Sequence, residues 1–260
     1  MNHLALVLQN QLDAPPALLA DWSRERDVQL AVVRADLSEQ LPSPHAYDFA
    51  VVLGSNASAA ERSLPWVAAE IDWLRHADRL ALPVLGICFG AQALAVALGG
   101  SVHRQALLEI GWTSVESDAP DLVGSGPWFA WHEDAIQLPA RATEIARNAF
   151  GTQAFTAGAH LGLQFHPEVT PAVASAWAGE ERGARQLQRV GLDRLRLQRD
   201  SASNLSAARA AAFRCFDAFL AGAGATVDDH SARASASPRK TPRSHWAVDA
   251  LPRGGRKAPK

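Results

Sequence analysis

The sequence predicts an α/β fold: a mostly parallel central sheet with helices on both faces, joined by a smaller antiparallel sheet. Three observations carry that expectation. Short aliphatic runs alternate with amphipathic stretches through the first hundred residues. The runs are apolar at nearly every position, which suits strands covered on both faces. Beyond them the pattern changes to strand-length segments separated by turn residues, which suits antiparallel pairing.

The elements can be taken in order. Leu4 to Leu8 (LALVL), Val28 to Val33 (VQLAVV), Phe49 to Leu53 (FAVVL) and Pro83 to Ile87 (PVLGI) read as parallel strands. Trp66 to Leu80 is the clearest helix. Trp66, Val67, Ile71, Trp73, Leu74 and Ala77 form its apolar side, Glu70, Asp72, Arg75 and Asp78 its wet side, and Pro65 suits the first turn. Such alternation implies right-handed crossovers. Between Val102 and Gln164 the segments Glu109–Val115, Pro127–His132, Gln153–Ala157 and Leu161–Phe165 read as strands. Helix returns at Pro171–Leu187, with Gly179 and Gly183 weakening its second half. It returns at Asn204–Ala221, where Leu205, Ala208, Ala212, Phe213, Phe216 and Leu220 recur at near-helical spacing. The run AGAGAT at 221–226 is expected to end that helix.

These elements define one domain over residues 1–222 and leave 223–260 as a disordered basic tail. The tail is rich in Ser, Ala, Arg and Pro and cannot bury enough surface to offset the entropy of ordering it. Residues 230–260 carry a net charge of +7 and the rest −9. An acidic body argues against nucleic acid as a partner, because phosphate recognition needs a positive face on folded structure. Two cysteines cannot make a disulfide framework and suit a reducing compartment. No signal sequence opens the chain, and no run approaches the length needed to span a bilayer. A cytoplasmic protein without membrane attachment is therefore expected. No His/Cys cluster has metal-ligand spacing, so neither metal nor cofactor is expected.

Two constellations carry chemistry. The first is Val84-Leu85-Gly86-Ile87-Cys88-Phe89-Gly90-Ala91-Gln92, an aliphatic strand running into Gly-x-Cys-x-Gly and then a helix-forming run. This is the strand–elbow–helix arrangement of Gly-x-Ser-x-Gly nucleophiles with sulfur in place of oxygen. Side chains at Gly86 or Gly90 would collide in so sharp a turn. The helix N-terminus also favours thiolate at Cys88. By itself the elbow leaves open a buried core thiol. Cys215, inside a helix between Arg214 and Phe216, is packing.

The second is Gln164-Phe165-His166-Pro167-Glu168, where a strand ends in His-Pro-Glu. Residues i and i+2 of an extended segment point the same way, so the Glu168 carboxylate can reach the His166 imidazole. Pro167 stiffens the pair. A carboxylate on one ring nitrogen sets the tautomer and leaves the other to accept a proton. Seven other histidines lack this arrangement. His132, in Trp131-His132-Glu133-Asp134, is retained as a candidate for touching substrate.

Together the two constellations resemble the class I glutamine amidotransferases, through Gly-Ile-Cys-Phe-Gly-Ala-Gln (86–92) and Gln-Phe-His-Pro-Glu-Val (164–169). Weaker similarity extends through Glu109-Ile110-Gly111-Trp112, Trp131-His132-Glu133-Asp134 and Gln153-Ala154-Phe155. The chain looks like a single-domain member similar to the guanylate-synthase amidotransferase domain, with the family's flavodoxin-like fold. The resemblance implies a catalytic triad of Cys88, His166 and Glu168 that cleaves the γ-amide of glutamine or a γ-glutamyl compound through a γ-glutamyl thioester. It further implies that the backbone N–H of Phe89 is one oxyanion donor and that Gln92 lines the glutamine pocket; a plain polar helix residue remains the alternative for Gln92. The second donor comes from a Gly-rich loop after an earlier strand. That loop departs from the common Gly-Gly-Pro: here it reads Leu53-Gly54-Ser55-Asn56, leaving the donor open among Gly54, Ser55 and Asn56.

Three readings of the chemistry stand. The chain delivers ammonia to a separate synthase subunit, since no nucleotide-activating loop is present. Or it acts alone as a hydrolase or peptidase on γ-glutamyl compounds. Or it is a non-catalytic binding module.

Overall fold

The computed structural model describes residues 3–231, with side chains through residue 223. The elements are β1 (His3–Gln9), α1 (Ala17–Glu25), β2 (Val28–Arg34), β3 (Phe49–Val52), α2 (Pro65–Arg79), β4 (Val84–Ile87) and α3 (Phe89–Ala97). There follow β5 (Ser101–Thr113), β6 (Glu116–Ser117), β7 (Trp128–Gln137), β8 (Thr143–Asn148), β9 (Gly151–Ala157) and β10 (His160–Leu163). The chain continues as α4 (Pro171–Gly179), α5 (Glu181–Arg189) and α6 (Arg194–Ser231).

The main sheet has eight strands in the order β2-β1-β3-β4-β10-β9-β8-β6, and β5 pairs with β7 in a separate two-stranded sheet. The five strands from β2 to β10 are parallel, and the next three pairings are antiparallel. The fold is therefore α/β, with a mostly parallel sheet and a small antiparallel one. The parallel part has the doubly wound order 2-1-3-4-5, in which ligands bind beyond the carboxyl ends of the strands near the reversal between β1 and β3.

Strand period and two-sided cover explain the aliphatic runs. Ala5, Val7, Phe49, Val51, Leu85 and Ile87 face one core, which α1 and α6 close with Trp22, Phe213, Phe216 and Phe219. Leu6, Leu8, Ala50, Val52 and Val84 face a second core closed by Val67, Ile71 and Leu74 of α2 and by residues of α3. The ring of Trp22 meets Phe216 edge-on at 5.6 Å, and its indole N–H donates to Asp217 at 2.8 Å. These contacts seal α6 against α1.

Several expectations need correction. Strand β2 is the sheet edge, and Val32 is 45% exposed, so its apolar run reflects one covered face. The helix expected over 171–187 is broken at Glu180, whose extended backbone (φ −66, ψ 148) separates α4 from α5. Helix α6 begins at Arg194, ten residues before the expected start, and runs through AGAGAT to Ser231. Glycine lowers helix propensity but does not stop an established helix lacking a left-handed cap. The expected boundary at 222/223 thus falls inside this helix. The expected disordered tail lies outside the described residues from 232 onward. No described helix is long and apolar enough to cross a membrane.

Candidate active site

The site forms where the carboxyl ends of β1, β3, β4 and β10 meet. Cys88 follows β4 directly and precedes α3, with φ 52 and ψ −106. A non-glycine residue with this backbone is strained, and such strain is retained where the surroundings over-determine it. Here the Cys88 N–H donates to Leu163 O at 2.7 Å, tying the elbow to the end of β10. The two glycines of the elbow answer to close approaches. A Cβ on Gly90 would lie 2.0 Å from Val52 O, and one on Gly86 would lie 2.6 Å from Gly90 O. Backbone occupies that space on both sides, so neither position admits a side chain. Cys88 is buried with its sulfur at the cleft floor.

His166 and Glu168 meet as expected, though by a different local route. Strand β10 ends at Leu163, and Pro167 and Glu168 lie in a turn. His166 is held by an isolated antiparallel bridge to Phe129, its N–H donating to Phe129 O at 2.7 Å. The turn brings Glu168 Oε1 to 2.7 Å from His166 Nδ1. That contact commits Nδ1 and leaves Nε2 for a reacting group. Trp177 packs its ring edge-on against the imidazole at 4.9 Å. Burial disfavours the imidazolium, but the charges of Glu168 and Cys88 outweigh it and raise the His166 pKa to about 10.

The loop after β3 lies between these groups. A Cβ on Gly54 would sit 2.8 Å from His166 Cε1 and 3.7 Å from Cys88 Cβ, so only glycine fits. The three donor candidates differ in what they already bind. The Asn56 N–H donates to Gln11 Oε1 at 2.7 Å and is thereby committed. The Ser55 hydroxyl accepts from the Ala57 N–H at 3.1 Å, within its own turn. Gly54 is the residue packed against both Cys88 and His166. Phe89 stands in the first turn of α3, where a backbone N–H has no acceptor within the helix.

Gln92 is 3% exposed and donates to Gln164 Oε1 at 3.3 Å. It lines one of two lobes that meet over Cys88. The Gln92 lobe, of about 380 Å³, also contains Arg104, Glu133 and Asp134. The other, of about 510 Å³, contains His166, Gln11, Asp13, Trp177 and Glu180. His132 lines the first lobe, but both its nitrogens are engaged, Nε2 with Glu109 at 2.8 Å and Nδ1 with Asp134 O at 3.2 Å. It anchors a buried network in which Glu109 also accepts from Asn148 and Gln153. That network braces the strand pair β5–β7, where Glu109 and His132 are paired across the ladder.

Sequence reasoning missed Asn10 and Gln11. Both are polar residues directly after a parallel strand, at the sheet edge where ligands bind, and that position was the available signal. It also missed α5 as the cleft roof, because one helix was expected where the chain turns at Glu180.

Fold and site together define an α/β protein with a cysteine elbow and a histidine–carboxylate pair at one cleft. The chain belongs to the class-I glutamine amidotransferase family, whose model matches residues 13–177. It is 29% identical over 184 residues to a glutamine-hydrolyzing GMP synthase of Nitrosomonas eutropha, covering 65% of this chain and 34% of that protein. Against the GMP synthase of Thermomicrobium roseum it is 36% identical over 174 residues, covering 56% and 32%. The chain thus spans about a third of the length of these relatives. Among solved structures, a glutamine amidotransferase of Thermotoga maritima superposes with a TM-score of 0.76 at 26% identity, covering 85% of this chain and 99% of that one. A glutamine amido transferase of Methylobacillus flagellatus shares the fold with a TM-score of 0.76 at 23% identity, covering 85% and 96%.

Proposed function

We propose that the protein cleaves the γ-amide of glutamine or of a γ-glutamyl compound, with Cys88 as nucleophile, His166 as base and acid, and Glu168 as orienter. The observation that carries this reading is the 2.7 Å contact of Glu168 with His166 Nδ1, beside the Cys88 elbow in a shared cleft. His166 Nε2 takes the thiol proton, and the sulfur adds to the amide carbonyl. The oxyanion is held by the N–H groups of Phe89 and Gly54. Collapse breaks the carbon–nitrogen bond as His166 returns the proton to the departing amine. Water, deprotonated by the same imidazole, then cleaves the γ-glutamyl thioester to glutamate and free thiol. The Gln92 lobe holds the glutamyl group, with Gln92 donating to it.

Similarity to GMP synthases supports a second reading, in which released ammonia passes to a separate synthase. Incubation of the purified chain with glutamine, following ammonia and glutamate, tests the core proposal. Turnover should be lost in Cys88→Ser, and a glutamine-analogue diazoketone should label Cys88. Absence of both turnover and labelling would refute it. Stimulation of glutaminase activity by an added synthase subunit would establish the second reading.

A further inference from the structure

Behind the loop after β3 lies a buried carboxyl group that the reaction above does not use. Glu70, on α2, has no exposed surface. Its hydrogen-bond partner among the described residues is Asn10, whose Nδ2 donates to Glu70 Oε1 at 3.3 Å. The same nitrogen donates to Leu53 O at 3.0 Å. The Leu53 C=O and the Gly54 N–H belong to one peptide and point in opposite directions. Gly54 in turn packs against both Cys88 and His166. Polar contacts therefore run from α2, through Asn10, to the wall of the cleft.

Each member of this pair keeps an unsatisfied atom. Asn10 Oδ1 and Glu70 Oε2 are both buried, and neither has a hydrogen-bond partner among the described residues. Orphaned polar atoms in an interior are costly and uncommon. As a carboxylate, Glu70 offers only acceptors, so neither orphan can serve the other. As a neutral acid it gains one O–H donor. A carboxylic acid and a primary amide then complement each other in a two-bond ring. The acid O–H donates to Asn10 Oδ1, and an Asn10 N–H donates to Glu70 Oε1. One proton satisfies both orphans, and the second Asn10 N–H stays on Leu53 O.

The surroundings favour that proton. Among the described residues no cation pairs with Glu70, whose charged form burial alone disfavours. Asp36, from the turn Ala35–Leu37 packed on α2, adds negative charge, although Arg34 holds it at 2.8 and 2.6 Å. Asp13 also acts on that arginine. Helix α3, packed on the other flank of α2, carries no titratable side chain. His45, from the turn Pro44–Ala46, packs on His76 farther along α2, and Asp72 pairs with Arg75 at 2.6 Å. Burial raises the Glu70 pKa from 4.5 to about 8, with the Asn10 bond opposing and Asp36 adding to it.

We propose that Glu70 is a positioning residue that works as a neutral acid, paired with Asn10 so that the Gly54 N–H stays aimed at the oxyanion. This role rests on the function proposed above. Ionisation sends the ring proton to solvent, leaves Asn10 Oδ1 unpaired and loosens the amide that anchors the Leu53–Gly54 peptide. Turnover then falls as pH rises through about 8.

The test follows kcat and KM of the full chain on glutamine across a pH range bracketing about 8, in wild type, Glu70→Gln and Glu70→Leu. A glutamine side chain keeps the ring, because its amide N–H donates to Asn10 Oδ1 and its carbonyl accepts, and it has no proton to lose. Wild-type kcat should drop about tenfold over the alkaline limb with KM nearly unchanged, less than the loss of an oxyanion donor itself. Glu70→Gln should stay within about twofold of the neutral-pH kcat and remain level, whereas Glu70→Leu should be about tenfold slower throughout. The infrared difference spectrum across the same range should show a neutral carboxyl C=O stretch that disappears at high pH and is missing in Glu70→Gln. An equal alkaline limb in Glu70→Gln, or full kcat in Glu70→Leu, would overturn this inference. Glutamine turnover and diazoketone labelling of Cys88 would then leave the proposed function standing. A wild type that neither turns over glutamine nor is labelled would remove both.

Discussion

Asn10 donates a 3.0 Å hydrogen bond from Nδ2 to the carbonyl oxygen of Leu53, and this bond fixes the plane of the peptide that joins Leu53 to Gly54. The two polar groups of a trans peptide point in opposite directions, so anchoring the carbonyl also sets the direction of the Gly54 N–H. Asn10 is buried, and its second contact is to Glu70 Oε1 at 3.3 Å. Removing the anchor in Asn10→Ala should lower kcat about 10- to 100-fold while KM changes little, because an oxyanion donor acts in the transition state. A γ-aldehyde analogue of glutamate, which forms a tetrahedral adduct, should lose affinity in parallel. Equal losses in KM and kcat/KM would show a role in substrate binding instead.

Glu168→Gln should reduce kcat by roughly 10²–10⁴-fold. An amide at this position can donate to His166 Nδ1, which stabilises the tautomer protonated at Nε2. That tautomer cannot take the thiol proton. Steady-state kinetics together with imidazole nitrogen chemical shifts would detect both effects.

Glu70 gives a pH signature in stability. Burial raises its pKa from 4.5 to about 8, against the opposing bond from Asn10. A raised folded-state value means the proton stabilises the native protein. That contribution is full below about 4.5 and lost as pH rises through about 8. Glu70→Gln should therefore unfold at higher urea than the wild type above pH 8, by on the order of a few kcal/mol. His166, raised from 6.5 to about 10, loses its contribution as pH rises through about 10. The difference between variant and wild type across pH 4–9 isolates Glu70.

Cys88 holds a backbone conformation that suits glycine, so the usual ranking of small residues should invert there. Cys88→Gly should be more stable than Cys88→Ala by about 1 kcal/mol, seen as a melting temperature a few degrees higher. Both variants should be inactive toward glutamine.

Much of this was legible in the sequence, and the rest was not for identifiable reasons. The parallel strands declare themselves because both their faces are covered, as Leu6 and Val7 show by entering different cores. The elbow glycines 86 and 90 mark backbone contacts that no other residue tolerates. His166 and Glu168 were paired correctly, although a turn rather than extended strand brings them together, since spacing constrains neighbours more than it constrains backbone shape. Strands β6 and β8 were missed. Glu116–Ser117 is too short to show a period, and Thr143–Asn148, one strand in from the sheet's edge, is polar at four of its six positions. The roof helix was hidden because the break at Glu180 is a single residue's backbone angle. Glu70, expected on the wet side of α2, is instead fully buried, because it meets Asn10 across sixty residues, a pairing no local pattern announces.

The bond from the Cys88 N–H to Leu163 O has a consequence for the growing chain. The thiol is synthesised 75 residues before its elbow can be fastened, and still earlier than the imidazole and carboxylate beside it. Domains generally form as units, and contacts this distant in sequence close late. A ribosome-bound chain that stops short of Glu168 therefore carries an ordinary cysteine. On the proposed function, the thiol becomes a nucleophile only when the last parallel strand docks, and an incomplete chain is expected not to hydrolyse amides.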